Sequence, residues 1–181
     1  VRLESLHLFN GTAPSGKGGG ALRALTLNGG LQLVANRFSD SSASDGGGVE
    51  ITTDGGEVLL ANNLIYNSVA TGDGEGGGLM LTLKTDALAE LKHNTLYGNS
   101  AKNGGGMSLY WTEPAAVVTV SGNIADANTA TSFGSDVAFD GASYKAAILT
   151  LTANRFNTID GVGYYFNPVG GTPTLDASNT S

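Results

Sequence analysis

The residues able to do chemistry are few, and their spacing limits what they could do. Hydrolysis of glycosidic bonds calls for a pair of carboxylates sharing acid and base roles, and no two acidic residues are adjacent anywhere in the chain. Asp40, Asp45, Asp54, Asp73 and Asp86 each stand beside Gly, Ser or Thr, the setting in which an Asp side chain caps its own turn. His7 and His93 are far apart and there is no cysteine, which removes thiol nucleophiles, disulfides and local zinc motifs. No metal site is therefore expected, and His93 reads as a surface residue. Calcium is the one ion worth weighing, at Thr71-Gly72-Asp73-Gly74-Glu75-Gly76, where carboxylates alternate with glycine. The run matches neither an EF-hand loop nor the nonapeptide calcium repeat, so it is read as an acidic turn. Tyr110 and Trp111, ahead of Pro114, are the candidate ligand-binding residues, because flat aromatic faces at an exposed edge suit sugar rings and partner surfaces.

The 181 residues carry a net charge of −7 with nine Lys plus Arg, spread without clustering. Such a chain lacks the basic footprint of a nucleic-acid partner. It has no apolar run of spanning length, so this segment is not expected to insert into a membrane. Hydrophobic residues make up 40% and charged ones 14%, a balance that folds rather than stays disordered. Glycine, at 28 residues, must hold particular positions.

Those positions are periodic. Triplets at Gly18–Gly20, Gly46–Gly48, Gly76–Gly78 and Gly104–Gly106 are followed by Gly134-Ser135-Asp136, in steps of 28, 30, 28 and 30 residues. Asn36, Asn63, Asn94, Asn123 and Asn154 keep the same beat, in steps of 27, 31, 29 and 31. After each triplet comes an alternating run such as Leu79-Met80-Leu81, and a second run such as Val118-Thr119-Val120 enters the asparagine. Beyond the asparagine stand inward-phase residues Phe38, Ile65, Leu96, Ala125 and Phe156, and then a polar corner at Ser41, Asn67, Asn99 and Asn128. Period-two alternation predicts strands, so each unit of roughly 29 residues holds three short strands and three corners. The fold class expected is all-β: a parallel β-helix solenoid of about five to six rungs, filling residues 1–181 as a single domain. The repeats span about 9–160, with an irregular C-terminal end over 161–181. Gly20, Gly48, Gly78 and Gly106 are expected to be structural, making corners where a Cβ would clash or φ is positive. The five asparagines are expected to stack as an internal hydrogen-bonded ladder and to tolerate left-handed φ.

With Asn94-Thr-Leu-Tyr-Gly-Asn99-Ser-Ala followed by Gly104–Gly106, and Asn63-Leu-Ile-Tyr-Asn67-Ser-Val-Ala followed by Gly76–Gly78, the chain resembles the right-handed parallel β-helix repeat proteins of bacterial surfaces, in the pectate-lyase-like superfamily. Polymorphic outer-membrane-protein repeats are the narrower likeness, with GGG here in place of GGA. The resemblance implies a secreted or cell-surface module, cut from a longer protein, acting without catalysis as stalk, adhesin or assembly unit. Its partners would be glycans or surface receptors. Two other readings remain. One is a carbohydrate-active enzyme or carbohydrate-binding module. The other is a filament subunit associating end to end through unpaired strand edges. No cofactor is implied.

Overall fold

A computed structural model describes residues 1–112, 116–140 and 148–161. Every strand pairing in it is parallel, and each joins residues about one repeat apart except the last on the first face, where Val137 meets Ile159 after 22 residues. The result is an all-β solenoid of about five turns, with no helix among the described residues. The irregular end expected over 161–181 lies outside the described residues beyond Gly161.

Four sheets run along the solenoid, where three strands per rung were expected. The first face holds the post-glycine strands Leu22–Leu27, Val49–Asp54, Leu79–Lys84, Met107–Trp111, Val137–Asp140 and Ile159–Gly161. The second holds Arg2–Glu4, Leu31–Val34, Glu57–Ala61, Leu88–Lys92, Val117–Ser121 and Ile148–Thr152. After the asparagines comes the third: His7–Phe9, Arg37–Ser39, Leu64–Tyr66, Thr95–Tyr97, Ile124–Asp126 and Arg155–Phe156. The additional face is built from Ser42–Ala43, Val69–Ala70, Ser100–Asn103 and Thr129–Phe133. Two of its members are two residues long, too short to show a period.

Register stacks like on like. Val49, Leu79, Met107 and Val137 form one inward column, and Leu33, Leu60, Leu91 and Val120 another. On the third face Phe38, Ile65, Leu96 and Ala125 stack and are buried. A solenoid is stable only through such neighbour-to-neighbour burial, since one rung encloses almost nothing by itself.

The asparagine column lies where the second face turns into the third. Asn63 uses its whole hydrogen-bonding capacity there. Its Nδ2 donates to the Leu33 carbonyl of the previous rung (2.8 Å) and to Asn94 Oδ1 of the next (2.9 Å), while its Oδ1 accepts from Asn36 N and Nδ2. Asn94 and Asn123 repeat the pattern, and Asn154 receives its last links. All five asparagines are buried. They are not the left-handed residues of the corner, contrary to expectation. Positive φ falls one position earlier, at Ser5, Ala35, Asn62, His93, Gly122 and Ala153, so the residue that turns points outward and the asparagine after it keeps its amide inward.

A second polar column follows the third face, in Ser41, Ser68, Asn99 and Asn128, all buried. Asn99 Oδ1 accepts from Ser68 N, Asn128 Oδ1 accepts from Asn99 N and Nδ2, and Asn128 Nδ2 donates to the buried Asp136 carboxylate at 2.9 Å. Asn67, assigned to this column from sequence, is exposed; it has positive φ together with Asp40, Gly98 and Ala127. Two adjacent polar residues leave the period unable to say which one points in.

The glycine corner joins the additional face to the first. Gly48, Gly78 and Gly106 form one column by successive hydrogen bonds. Gly20 does not belong to it: Leu22 pairs with Val49, which places Ala21 beside Gly48 and Gly20 beside Gly47. The step from Ala21 to Gly48 is then 27, matching Asn36 to Asn63.

Candidate functional site

Tyr110 and Trp111 part company in the structure. The strand Met107–Trp111 continues its alternation one residue further than the sequence suggested, so Met107, Leu109 and Trp111 all point inward. Trp111 stacks on Leu83, is only 6% exposed and lies against Phe139, ring centroids 6.5 Å apart at 52°. The expectation of an exposed tryptophan is thus corrected: the corner begins after Trp111, not before Tyr110. Tyr110 points outward between Thr82 and Asp140 in register, half-buried.

The acids are dispersed around the corners. Asp40 accepts from Asn67, and Asp73 pairs with Lys102 at 2.7 Å. That hydrogen bond and charge hold the Asp73 carboxyl below its ordinary range. Among the described residues no group of three or more His, Asp or Glu side chains converges on one point. His93 is exposed at its left-handed corner, with its ring over Gly122.

The densest exposed constellation is on the third face, which sequence reasoning passed over. Most strands there are three residues long with the middle one inward, so the first and third residues lie on the outer side, with Ser39 covered by its neighbours. Register stacks Phe9, Ser39, Tyr66, Tyr97 and Asp126 in one outward column and His7, Arg37, Leu64, Thr95 and Ile124 in the other. Phe9 is 59% and Tyr97 51% exposed. Tyr66 and Tyr97 are direct neighbours on adjacent rungs, about 4.8 Å apart along the solenoid.

Around Tyr66 the polar groups are tied together. The Arg37 guanidinium lies over its ring at 5.9 Å and donates to its hydroxyl at 3.4 Å. Ser39, buried beneath, meets His7 Nε2 at 3.3 Å. Hydrogen bonds from the Ser39 hydroxyl and the Arg37 guanidinium hold the Tyr66 phenol below its ordinary value. Further along, Asp126 accepts from Ala127 N and Asn157 Nδ2 at 2.9 Å each. Arg37 has no ion pair among the described residues and keeps its charge beside Tyr66, and the rest of the face offers flat rings and hydroxyls. The signal was in the sequence: Asn63-Leu-Ile-Tyr66 and Asn94-Thr-Leu-Tyr97 put tyrosine one residue beyond the inward position in consecutive repeats, hence outward at one place.

No protein-family model, no curated protein and no solved structure matches this chain.

Proposed function

We propose that this is a non-enzymatic β-helix module of a secreted or surface-displayed protein, an adhesin that binds glycan chains along its third face. The observation that carries the reading is the outward pair Tyr66 and Tyr97 on adjacent rungs, with exposed Phe9 two rungs from Tyr66 in the same column. Aromatic rings standing on a rigid sheet bind with little ordering cost. Their C–H-rich sugar partners stack on the ring faces, and the hydroxyls of Tyr66, Tyr97 and Thr95 are there to accept and donate. A parallel solenoid repeats its surface every rung, so its ligand is an extended polymer rather than a small molecule. The rings and hydroxyls of the two tyrosines are uncharged, so the glycan expected is neutral. The right-handed bacterial-surface likeness of the Asn and GGG motifs supports the same setting.

The test is a glycan array followed by titration of the best neutral hit with the purified chain and its Tyr97→Ala variant. Tyr97 is half exposed, outward and bears no side-chain hydrogen bond among the described residues. Its loss is expected to weaken binding at least about tenfold, or ~1.4 kcal/mol, and to move the unfolding midpoint by less than ~2 °C. Equal affinity in the variant, or no glycan retained at all, overturns the reading.

A further inference from the structure

The turn Asn28-Gly29-Gly30, between the strands Leu22–Leu27 and Leu31–Val34, plays no part in the third-face reading. Asparagine is followed by glycine at three places, Asn10-Gly11, Asn28-Gly29 and Asn103-Gly104, and the fold treats the three differently. Asn103 is buried, and the Gly104 N–H donates to the Phe133 carbonyl at 3.1 Å. Asn10 is exposed, but the Gly11 N–H donates to the Ser41 hydroxyl at 3.1 Å. Both glycines are crowded by backbone: a Cβ would run into the Gly20 carbonyl at Gly11 and into the Met107 carbonyl at Gly104. Asn28 is exposed as well, yet the Gly29 N–H has no hydrogen-bond partner among the described residues. Only the ends of its turn are tied, the Asn28 N–H donating to the Asp54 carbonyl at 2.9 Å and the Val1 amine to the Gly30 carbonyl at 2.6 Å. The nearest atom to a Cβ on Gly29 would be the Leu27 carbonyl oxygen at 3.7 Å, and Gly56, stacked on it from the next rung, brings no side chain.

We propose that Asn28 is a spontaneous modification site, at which the folded chain deamidates through a cyclic imide. The Gly29 nitrogen gives its proton to hydroxide and its electron pair attacks Asn28 Cγ. The N–Cγ bond forms, the Cγ–Nδ2 bond breaks, and the side-chain nitrogen leaves as ammonia. Water then opens the imide at either carbonyl to give aspartate or isoaspartate, so the net change is amide plus water to carboxylic acid plus ammonia. The attacking nitrogen must not already be donating, and the turn must be able to rotate until nitrogen meets Cγ. Glycine leaves the nitrogen unshielded and widens the rotation open to it. At Asn10 and Asn103 a hydrogen bond holds that nitrogen and packed backbone blocks the rotation, so reaction there waits on local opening of a rung. At Asn28 neither restraint exists. The product also matters where it forms. Leu27 pairs with Asp54, so a carboxylate at position 28 adds a like charge beside Asp54, and isoaspartate lengthens the backbone within a turn whose two strands are held in register. The first rung loosens as a result.

The experiment is site-resolved mass spectrometry of the chain incubated at neutral and mildly alkaline pH, folded and in denaturant, following conversion at each Asn-Gly pair over time. In the folded chain Asn28 is expected to convert at least about tenfold faster than Asn10 or Asn103, at a rate that rises with pH, giving both aspartate and isoaspartate. In denaturant the three pairs, alike in sequence, converge to within about threefold. Gly29 is not left-handed and has room for a methyl group, so Gly29→Ala is expected to keep the folded circular dichroism spectrum and to slow conversion at Asn28 at least about tenfold. Equal rates at the three pairs in the folded chain, a faster rate at Asn10 or Asn103, or an unchanged rate in folded Gly29→Ala overturns the proposal. If Gly29→Ala does not fold, the wild-type chain decides: selectivity for Asn28 that appears only in the folded state supports the assignment, and its absence refutes it.

Discussion

The asparagine corner and the glycine corner both reverse the chain within a few residues, but the first does it by adding a side chain and the second by removing one. At the asparagine corner each amide makes up to four hydrogen bonds to neighbouring rungs, so the corner is held by specific chemistry. Its left-handed residue projects outward and is free to be Ser, Ala, Asn, His or Gly. The glycine corner is held by contact. Backbone passes so near backbone that a Cβ on Gly47, Gly77 or Gly105 would come within 2.5 Å of a carbonyl group of a neighbouring strand or the next rung. Identity is therefore fixed in both corners for opposite reasons, one for what the residue donates and the other for the room it leaves.

The largest effect should come from filling that room. In Gly105→Val the Cβ alone would lie 2.3 Å from the Thr129 carbonyl oxygen and 2.6 Å from that of Ser135, and two methyl groups follow it. Both obstacles are backbone, so relief requires separating rungs. The variant is expected to lose about 4 kcal/mol or more, the range reserved for major disruption, and to yield no folded protein by circular dichroism. Gly72→Ala sharpens the point: Gly72 has φ +66° but nothing within 4 Å of its Cβ position, so only the left-handed penalty of about 1–2 kcal/mol applies. Equal damage from the two would mean that dihedral preference, and not contact, fixes the glycines.

Next comes Asn94→Ala, aimed at the other corner. It leaves Asn63 N and Nδ2 without their acceptor and the Leu60 carbonyl without its donor. All lie in the buried ladder, where each orphaned group costs about 1–3 kcal/mol. A loss of ~3 kcal/mol is expected in denaturant unfolding, allowing for partial rescue by water. A variant within 0.5 kcal/mol or so of wild type would show that the ladder is a consequence of stacking and not a contributor to it.

How far these corners could be read from sequence follows from the same contrast. Gly and Asn recur at one period because each is chemically irreplaceable in its column, and that period was enough to give the parallel solenoid. Where a column tolerates substitution the reading slipped. Ala21 replaces glycine in the first rung, so the Gly18–Gly20 triplet was aligned one residue out of register. Ser68 replaces asparagine in the second polar column, so the sequence pattern points to Asn67 in its place. Trp111 was misplaced because a lone bulky residue at a strand end carries no periodic signal, and only the pairing with Leu83 shows its direction. The tyrosines of the third face were visible as letters, but which way a three-residue strand points them depends on the corner on either side.

The smallest expected effect has the opposite sign and tests whether the residue before each asparagine is free, as the comparison holds. Ala35 is exposed with φ +54°, and in the same column stands Gly122 with φ +63°. An L-residue in this conformation carries about 1–2 kcal/mol of steric strain, whereas glycine carries none but loses about 0.5–1 kcal/mol more chain entropy on folding. The difference favours glycine, so Ala35→Gly is expected to stabilise the protein by about 0.5–1 kcal/mol. For a chain of this size that corresponds to a rise of ~1–4 °C in midpoint. The Ala35 N–H donates to the Ala61 carbonyl at 2.9 Å, and glycine keeps this bond, so no other term changes. Ala153→Gly, at φ +51° in the same column, is expected to shift the midpoint in the same direction. A fall in midpoint for both would mean that the methyl groups make contacts worth more than the strain, and that this corner, like the glycine corner, is chosen by packing.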